Sequence, residues 1–191
     1  MGAKHTIKSL NSSTWKDFAA LAERHNGIWG GCWCMEFHPE GAQRGPQRRE
    51  QKEERVHAGK AHASLVYDED LCIGWCQFGS PEELPRIKHR REYAKSIEKL
   101  PDWRITCFFV DSKYRKMGVT ETALRGALGE IAKLGGGIVE SYPEDTTDRS
   151  VSSSFLYNSN LSLFLNNGFK KVQKLGKSHW VVRKLVESNN N

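Results

Sequence analysis

The stretch Arg115-Lys116-Met117-Gly118-Val119-Thr120 follows an apolar run, residues 105–110, and precedes an alanine- and leucine-bearing segment that begins at Glu121. This order predicts a strand, a turn and a helix. A glycine in the turn lets the backbone approach a ligand closely, and the first N–H groups of the helix face outward with the positive end of its dipole. The stretch therefore predicts a pyrophosphate-binding site, with an ordinary exposed turn before a helix as the alternative.

The neighbouring segments alternate between strand and helix patterns. Downstream, glycines end the helix and residues 138–142 predict a strand that is parallel to the strand of residues 103–110. Upstream, residues 63–67 and 71–78 are rich in β-forming side chains and are separated by acidic turn residues, which predicts a hairpin. Residues 43–60 are highly charged and predict a solvated helix flanked by loops.

Both ends of the chain carry similar patterns. Residues 5–10 predict a strand, and the helix after it places Trp15, Phe18, Leu21 and Ala22 on one face. Near the carboxyl end, Gly168 closes a short helical segment, and two further strands follow it over residues 169–175 and 180–186.

Composition limits the class of protein. The chain has 191 residues, 38% hydrophobic and 27% charged, which predicts one soluble globular domain without a membrane span or secretory signal. The net charge of +6 and pI of about 9.1 suit an anionic ligand such as a nucleotide-containing cofactor, or RNA. Five cysteines, an odd number, predict reduced thiols in a cytoplasmic protein.

Two segments resemble motifs of the GNAT superfamily of N-acyltransferases. Residues 115–120 resemble its acyl-CoA-binding signature, Gln/Arg-x-x-Gly-x-Gly/Ala, with Thr120 in place of the last small residue. The segment Leu163-Phe164-Leu165-Asn166-Asn167-Gly168-Phe169 resembles its aromatic-x-x-x-Gly-Phe helix end. The order of elements also resembles the GNAT fold over essentially the whole chain.

The resemblance implies an α/β (α+β) fold with a mixed, largely antiparallel central sheet, flanking helices and one parallel pair that splays apart at the cofactor site. We expect a single domain over residues 1–187, with an inserted basic segment at 80–101 and a disordered tail at 188–191. We expect it to act as a monomer or homodimer.

The resemblance also implies acetyl-CoA as the acyl donor and a primary amine as the acceptor. Backbone groups of Phe109 and Val110 would pair with the pantetheine arm, and residues 115–120 would bind the pyrophosphate. Glu140, at the end of the parallel partner strand, is the leading candidate for the base that deprotonates the amine. A surface carboxylate at a strand end is its alternative role.

The proton for the departing thiolate is a separate question. In this superfamily it often comes from a tyrosine of the penultimate helix, but Phe164 occupies that position here. Tyr157, Ser159 or a water molecule are the candidates that remain, and Tyr157 could instead pack against the cofactor or the core.

Two unusual segments are expected to border the acceptor. Residues 29–38 contain Trp29 and Trp33, and the basic segment 80–101 contains Arg90 and Arg91; we predict that these four side chains bind substrate. A packed loop and a solvated helix are the alternatives. A zinc site built on Cys32, Cys34 and His38 does not have common structural spacing, so we expect no metal.

These observations predict an N-acetyltransferase that moves the acetyl group of acetyl-CoA to a primary amine of a small molecule or peptide. One alternative keeps the fold but uses aminoacyl-tRNA as donor; nucleic-acid binding is possible but not favoured, because the basic segment lacks interleaved aromatic residues. Another is a non-catalytic CoA-binding sensor, which Phe164 suggests.

Overall fold

Seven strands form one sheet in the order β1-β2-β3-β4-β5-β7-β6 within the residues that the computed structural model describes, 5–147, 151–152 and 156–189. The strands are β1 (Thr6–Ser9), β2 (His62–Asp68), β3 (Leu71–Gly79), β4 (Trp103–Val110), β5 (Gly137–Ser141), β6 (Lys170–Leu175) and β7 (His179–Val186). The helices are α1 (Trp15–Arg24), α2 (Arg48–His57), α3 (Arg90–Ser96), α4 (Val119–Lys133) and α5 (Leu161–Asn166), with short 3-10 turns at Pro39–Ala42 and Ser112–Tyr114.

All neighbouring strands pair antiparallel except β4 and β5, which run parallel. This mixed sheet with one parallel pair and flanking helices confirms the predicted fold class. The strand over residues 103–110 begins and ends where the sequence predicted, because its apolar run is bounded by polar residues. The long helix starts two residues earlier than predicted, directly after Gly118.

Apolar side chains cover both faces of the sheet. On one face α1 packs against β3, and Phe18, Trp75 and Phe109 are buried in one cluster. On the other face α4 packs against β2 and β3, and the second cluster includes Leu124 and Phe164. Both faces of β3 and β4 are therefore covered, which holds their backbones in place.

The parallel strands β4 and β5 separate after three residue pairs. Trp103 to Ile105 pair with Val139 to Ser141, and no later pair of β4 and β5 is formed among the described residues. A β-bulge lies at the same point: Cys107 pairs with Gln77 and Ile105 with Phe78, so Thr106 is the extra residue of β4. Since a bulge bends its strand, β4 turns away from β5 directly after Ile105.

Helix α2 differs from the expected solvated helix. Its buried residues are Arg48, Lys52 and Val56, so a polar face rather than an apolar one is turned to the core. Polar side chains are buried in this way only when partners satisfy them. At the carboxyl end of the chain, the Asn189 N–H donates to the Ala132 carbonyl at 3.0 Å, and the last two residues of the expected disordered tail lie outside the described residues.

Candidate functional site

A cavity of about 210 Å³, here called the split cavity, lies along the part of β4 that no longer pairs with β5. Its walls come from residues 108–110 of β4, from Arg115 and Thr120, from Leu156, Ser159 and Asn160, and from Trp29. Phe109 and Val110, predicted to border the cofactor, both line it. So do the first and last residues of the stretch that predicted a phosphate site.

The backbone of β4 turns alternate N–H groups into this gap. The Asp111 N–H donates to Ile73 of β3, and the Phe108 N–H donates in the opposite direction, to the carbonyl oxygen of Tyr157 at 2.7 Å. Because neighbouring residues of a strand direct their N–H groups to opposite sides, Val110 shares the orientation of Phe108, while Phe109 faces β3. The sequence analysis did not name Phe108. The N–H groups of a strand point alternately to its two sides, but which side faces which neighbour is known only from the strand order.

The turn before α4 has two left-handed residues, Lys116 (φ 64°) and Gly118 (φ 78°). Gly118 is the N-cap of α4, and the first helical hydrogen bond runs from the Thr122 N–H to the Gly118 carbonyl. Helix geometry therefore leaves the N–H groups of Val119, Thr120 and Glu121 without helical acceptors. They lie at the positive end of the helix dipole, beside the split cavity.

Asp111 fixes the start of this turn. Its carboxylate accepts from the Lys113 N–H at 3.1 Å and forms ion pairs with His25 at 3.2 Å and Arg24 at 3.6 Å. Burial acts to raise the pKa of Asp111, but the Lys113 N–H and the two basic side chains outweigh it and lower the pKa. The carboxylate thus links the end of β4 to the end of α1.

A larger cavity of about 370 Å³ lies on the α1 and α2 side of β4 and is here called the aromatic cavity. Three aromatic residues line it: Trp29, Phe37 and Tyr157. Trp29 also lines the split cavity, so the two cavities meet at this side chain. Its backbone is left-handed, with φ at 42°, in a loop with several such residues, and its side chain is 41% exposed.

Charged side chains surround the aromatic cavity unevenly. Arg44, Arg48 and Lys88 line it, and Glu36 is the only carboxylate that does so among the described residues. Glu36 forms an ion pair with the buried Arg48 at 3.2 Å, and Arg48 also donates to the Gly41 carbonyl at 2.7 Å. This one carboxylate faces three cationic side chains, so the charge that reaches the cavity is mainly positive.

Tyr157 lies between the two cavities. Its ring lines the aromatic cavity, 6.3 Å from Trp29 and 5.9 Å from Phe37, with the Lys88 ammonium 4.9 Å above it. Its chain neighbours Leu156 and Ser159 line the split cavity. Phe164 is fully buried, packed against Phe108 and Phe169, and its ring fills the interior where the superfamily often has tyrosine.

Glu140 has a different environment from the one expected of a base. It is fully buried and accepts hydrogen bonds from Tyr93 at 2.8 Å, Tyr142 at 2.6 Å and Arg183 at 2.7 Å. It lies in the part of β5 that still pairs with β4, and it lines neither cavity. We therefore leave it out of the proposed site: two of its three donors come from α3 and β7, so it connects these elements to β5.

The four predicted substrate residues separate into two groups. Trp29 lines both cavities. Trp33 is 8% exposed and packs on Trp15 with ring centroids 6.3 Å apart. Arg90 and Arg91 are exposed on α3 and line neither cavity. The prediction that these three side chains bind substrate is therefore replaced: Trp33 packs in the interior, and Arg90 and Arg91 lie on the surface.

The two unusual segments do contact each other. The Arg86 N–H donates to the Phe37 carbonyl at 3.2 Å, and the Arg86 side chain donates to the Glu36 carbonyl at 3.0 Å. The inserted segment reaches the aromatic cavity through Lys88, two residues before the predicted arginines. Of the inserted segment, Lys88 therefore lines this cavity, whereas the two predicted arginines do not.

A buried polar cluster lies beside the aromatic cavity, and sequence reasoning did not find it. The Lys52 ammonium donates to Gln77 Oε1 at 2.7 Å and is 3.1 Å from His38 Nε2. Gln77 in turn donates to the Thr106 hydroxyl at 3.1 Å, so the cluster ends on the bulge of β4. The one feature of the sequence that could have indicated this cluster is Lys52, which lies four residues from both Arg48 and Val56 and so shares a helix face with them.

Three thiols line the same cavity: Cys32, Cys34 and Cys107. His38, which the sequence places near them as a potential metal ligand, uses its Nδ1 on the Glu83 carbonyl and its Nε2 on Lys52. No group of three metal-ligating side chains with suitable geometry occurs within the described residues.

Comparison with solved structures finds many that share this fold. One is described as histone acetyltransferase HPA2 and related acetyltransferase from Corynebacterium glutamicum, 15% identical, covering 98% of this chain and 99% of that chain with a TM-score of 0.54. A second, a putative GNAT-family acetyltransferase from Desulfovibrio desulfuricans, is 12% identical, covers 96% and 99%, and has a TM-score of 0.55.

A third structure, yncA from Salmonella typhimurium, is described as a putative acetyltransferase with its cofactor acetyl-CoA; it is 12% identical, covers 98% of this chain and 96% of that chain, and has a TM-score of 0.53. No family model matches the chain, and no curated protein is significantly similar in sequence. The chain has the fold of the GNAT acetyltransferases, which confirms the predicted resemblance at the level of fold. None of its described helices is both long and apolar enough to cross a bilayer.

Proposed function

We propose that the protein is an N-acetyltransferase that moves the acetyl group of acetyl-CoA to a primary amine. The observation that carries this proposal is the pair of cavities that meet at Trp29, one beside a helix N-terminus and one lined by aromatic and basic side chains. A two-substrate transfer needs two pockets that share a boundary where the reacting atoms meet. The fold of known acetyltransferases supports the same assignment.

In this proposal the split cavity holds the pantetheine arm. The N–H group of Val110 pairs with it, and the N–H groups of Val119, Thr120 and Glu121 hold the pyrophosphate. Arg115 adds a positive side chain to that wall. The thioester then lies at the boundary with the aromatic cavity, next to the bound amine.

The acceptor enters the aromatic cavity. Its ammonium group approaches Glu36, the carboxylate of the described lining, and must lose a proton before attack. Arg44 and Lys88 suit an acceptor that carries an anionic group, such as a carboxylate, beside its amine. Tyr157, at the boundary, is assigned the role of proton donor to the CoA thiolate.

Isothermal titration and a thiol-release assay test this function together. We expect acetyl-CoA to bind with micromolar or better affinity, and free CoA to accumulate only when an amine from a panel of amino acids and peptides is added. Acetyl-CoA binding without transfer to any amine would indicate a CoA-binding sensor. If aminoacyl-tRNA binds with an affinity that falls steeply with salt, and acetyl-CoA does not bind, the donor is aminoacyl-tRNA instead of acetyl-CoA.

A further inference from the structure

Four polar side chains are completely enclosed in the interior, and none of them has a part in the transfer described so far. They are His38, Lys52, Gln77 and Thr106, each 0% exposed. None of the four lines either cavity. Enclosing polar groups costs free energy, and apolar side chains of similar volume would fill the same space at less cost. Their hydrogen bonds therefore indicate what these side chains hold in place.

The hydrogen bonds of the four side chains form one chain, which begins at His38. The Glu83 carbonyl accepts from His38 Nδ1 at 3.1 Å, so the ring proton lies on Nδ1 and Nε2 accepts from Lys52, also at 3.1 Å. Burial, together with the charge of Lys52, holds the pKa of His38 well below its usual value, which keeps the ring neutral. The first two members of the chain therefore have defined donor and acceptor roles.

Lys52 also decides which way the Gln77 amide faces. The ammonium group only donates, so the Gln77 oxygen Oε1 faces it, at 2.7 Å. The amide nitrogen Nε2 then faces Thr106 and donates to its hydroxyl oxygen at 3.1 Å. A flipped amide would place Nε2 against the Lys52 donor. Lys52 of α2 therefore directs the Gln77 N–H of β3 onto Thr106 of β4.

Thr106 is the extra residue of the β4 bulge, opposite the step from Gln77 to Phe78 in β3. A strand that loses its bulge shifts its register by one residue beyond that point, and each residue and N–H group there turns to the opposite side. Beyond this bulge, Cys107 lines the aromatic cavity and residues 108–110 line the split cavity. The bulge therefore determines what β4 presents to both cavities.

We propose that Lys52 and Gln77 are positioning residues for the acetyl transfer. Through Thr106 they fix the bulge of β4, and the bulge fixes the Val110 N–H and the boundary between the two cavities against the thioester. This inference rests on the proposed function but not on the identity of the amine. A misplacement of about 1 Å at such a boundary costs about a hundredfold in rate, while the affinity for acetyl-CoA, which depends on many contacts, changes far less.

The other end of the chain lies at the acceptor side. His38 directly follows Phe37, which lines the aromatic cavity, and Glu83 belongs to the inserted segment. The hydrogen bonds thus connect the wall of the acceptor cavity with the strand that borders the donor. This continuity favours a role in aligning the two substrates over a role in stability alone.

The test compares kcat with acetyl-CoA affinity, using the amine of the amino-acid and peptide panel that gives the highest turnover. Thr106→Val exchanges the hydroxyl for a methyl group of similar size, and kcat should fall by about ten- to a hundredfold. Thr106→Ser keeps the hydroxyl and should hold kcat within about threefold of the wild type. The Kd of acetyl-CoA, measured by calorimetry, should stay within about threefold in both variants, which also shows that they are folded.

A second variant, Lys52→Met, removes the donor to Gln77 at nearly constant length. It should lower kcat as Thr106→Val does, and the double variant should be no slower than the slower single variant, because both residues act through one chain. Hydrogen exchange of the β4 peptide should be faster in both single variants than in the wild type or Thr106→Ser. Ile131→Val is the control: it removes one methyl group from the core, lines neither cavity, and should leave kcat unchanged.

A folded Thr106→Val variant with wild-type kcat overturns the inference. So does a Thr106→Ser variant as slow as Thr106→Val, because the hydroxyl would then not be the active feature. If Thr106→Val does not fold, the kcat of Lys52→Met decides in the same way, and effects that multiply in the double variant contradict a single chain. If the wild type acetylates no amine, the proposed function fails and the positioning role with it. If the wild type is active and the variants match it, only the inference fails.

Discussion

The N–H of Phe108 donates a 2.7 Å hydrogen bond to the carbonyl oxygen of Tyr157, at the point where β4 no longer pairs with β5. This bond attaches the backbone of Tyr157 to the wall of the split cavity while its ring lines the aromatic cavity. A single residue therefore has access to both proposed substrates. Any change in the position of residues 156–160 would alter the two cavities at once.

Substitution of Tyr157 by Phe removes only the hydroxyl group. The ring would keep its contacts with Trp29 and Phe37, so we expect acetyl-CoA affinity to change little. Turnover should fall by about one to two orders of magnitude, roughly the contribution of one general acid. Steady-state kinetics with calorimetric binding as the control would check this. Unchanged turnover would assign the ring to packing and the proton to water.

Gly118 tests the phosphate turn. Its φ of 78° is left-handed and no other group lies within 4 Å of the position that a Cβ atom would take, so Gly118→Val strains the backbone without a steric clash at that atom. Left-handed strain costs about 1–3 kcal/mol and should reorient the amides, raising the Kd for acetyl-CoA at least about tenfold. Gly129→Ala, in the same helix and also unobstructed, is the control; it should leave the Kd unchanged. A folded Gly118→Val variant with normal affinity would remove the turn from the site.

The two tryptophans of the 29–38 segment should behave in opposite ways. Trp33→Ala should lower the free energy of unfolding by about 3–5 kcal/mol, since its buried ring packs on Trp15. Trp29→Ala, at a 41% exposed side chain, should change stability far less but weaken binding of both substrates. Urea unfolding and binding assays separate the two outcomes, and a stable Trp33→Ala with impaired acceptor binding would reverse this assignment.

Lys88 and the following arginines provide a similar comparison. Lys88→Glu should raise the KM of an acceptor that carries a carboxylate by about tenfold, because the new charge lines the aromatic cavity. Arg90→Glu, on exposed α3, should leave that KM within about twofold. The KM for acetyl-CoA serves as the internal control. Equal effects of the two charge reversals on the acceptor KM would mean that long-range electrostatics, and not direct contact, governs acceptor binding.

Asp111 should contribute a pH-dependent part of the stability. Its pKa in the folded chain lies below the ordinary value of 3.8, so the folded state binds fewer protons than the unfolded state. The stabilisation is therefore present above that value and is lost as the pH falls through the folded pKa. Asp111→Asn should lower stability by about 1 kcal/mol near neutral pH and flatten the loss of stability between about pH 5 and pH 2. Denaturant unfolding at several pH values measures the difference; parallel curves would contradict it.

Local features of the sequence accounted for much of the fold. The strand of residues 103–110, the glycine before the long helix and the hairpin of β2 and β3 each follow from periodicity or from a backbone angle that glycine adopts readily. These signals act between residues close in the chain. Trp29, Arg115 and Thr120, which the sequence analysis had named, line the split cavity.

The remaining site depended on tertiary contacts that no local pattern encodes. The bulge at Thr106 and the cluster of Lys52, His38 and Gln77 join α2, β3, β4 and the segment after α1, and their pairing is fixed by how distant segments pack. Burial likewise decided that Glu140 is held by three donors and that Trp33 packs inward. The sequence by itself determined where the strands, the turns and the N-terminus of the long helix lie, because those are set by backbone propensity over a few residues. Only the tertiary structure decided which polar side chains face a cavity and which are enclosed, because that depends on register, strand order and the volume left between elements.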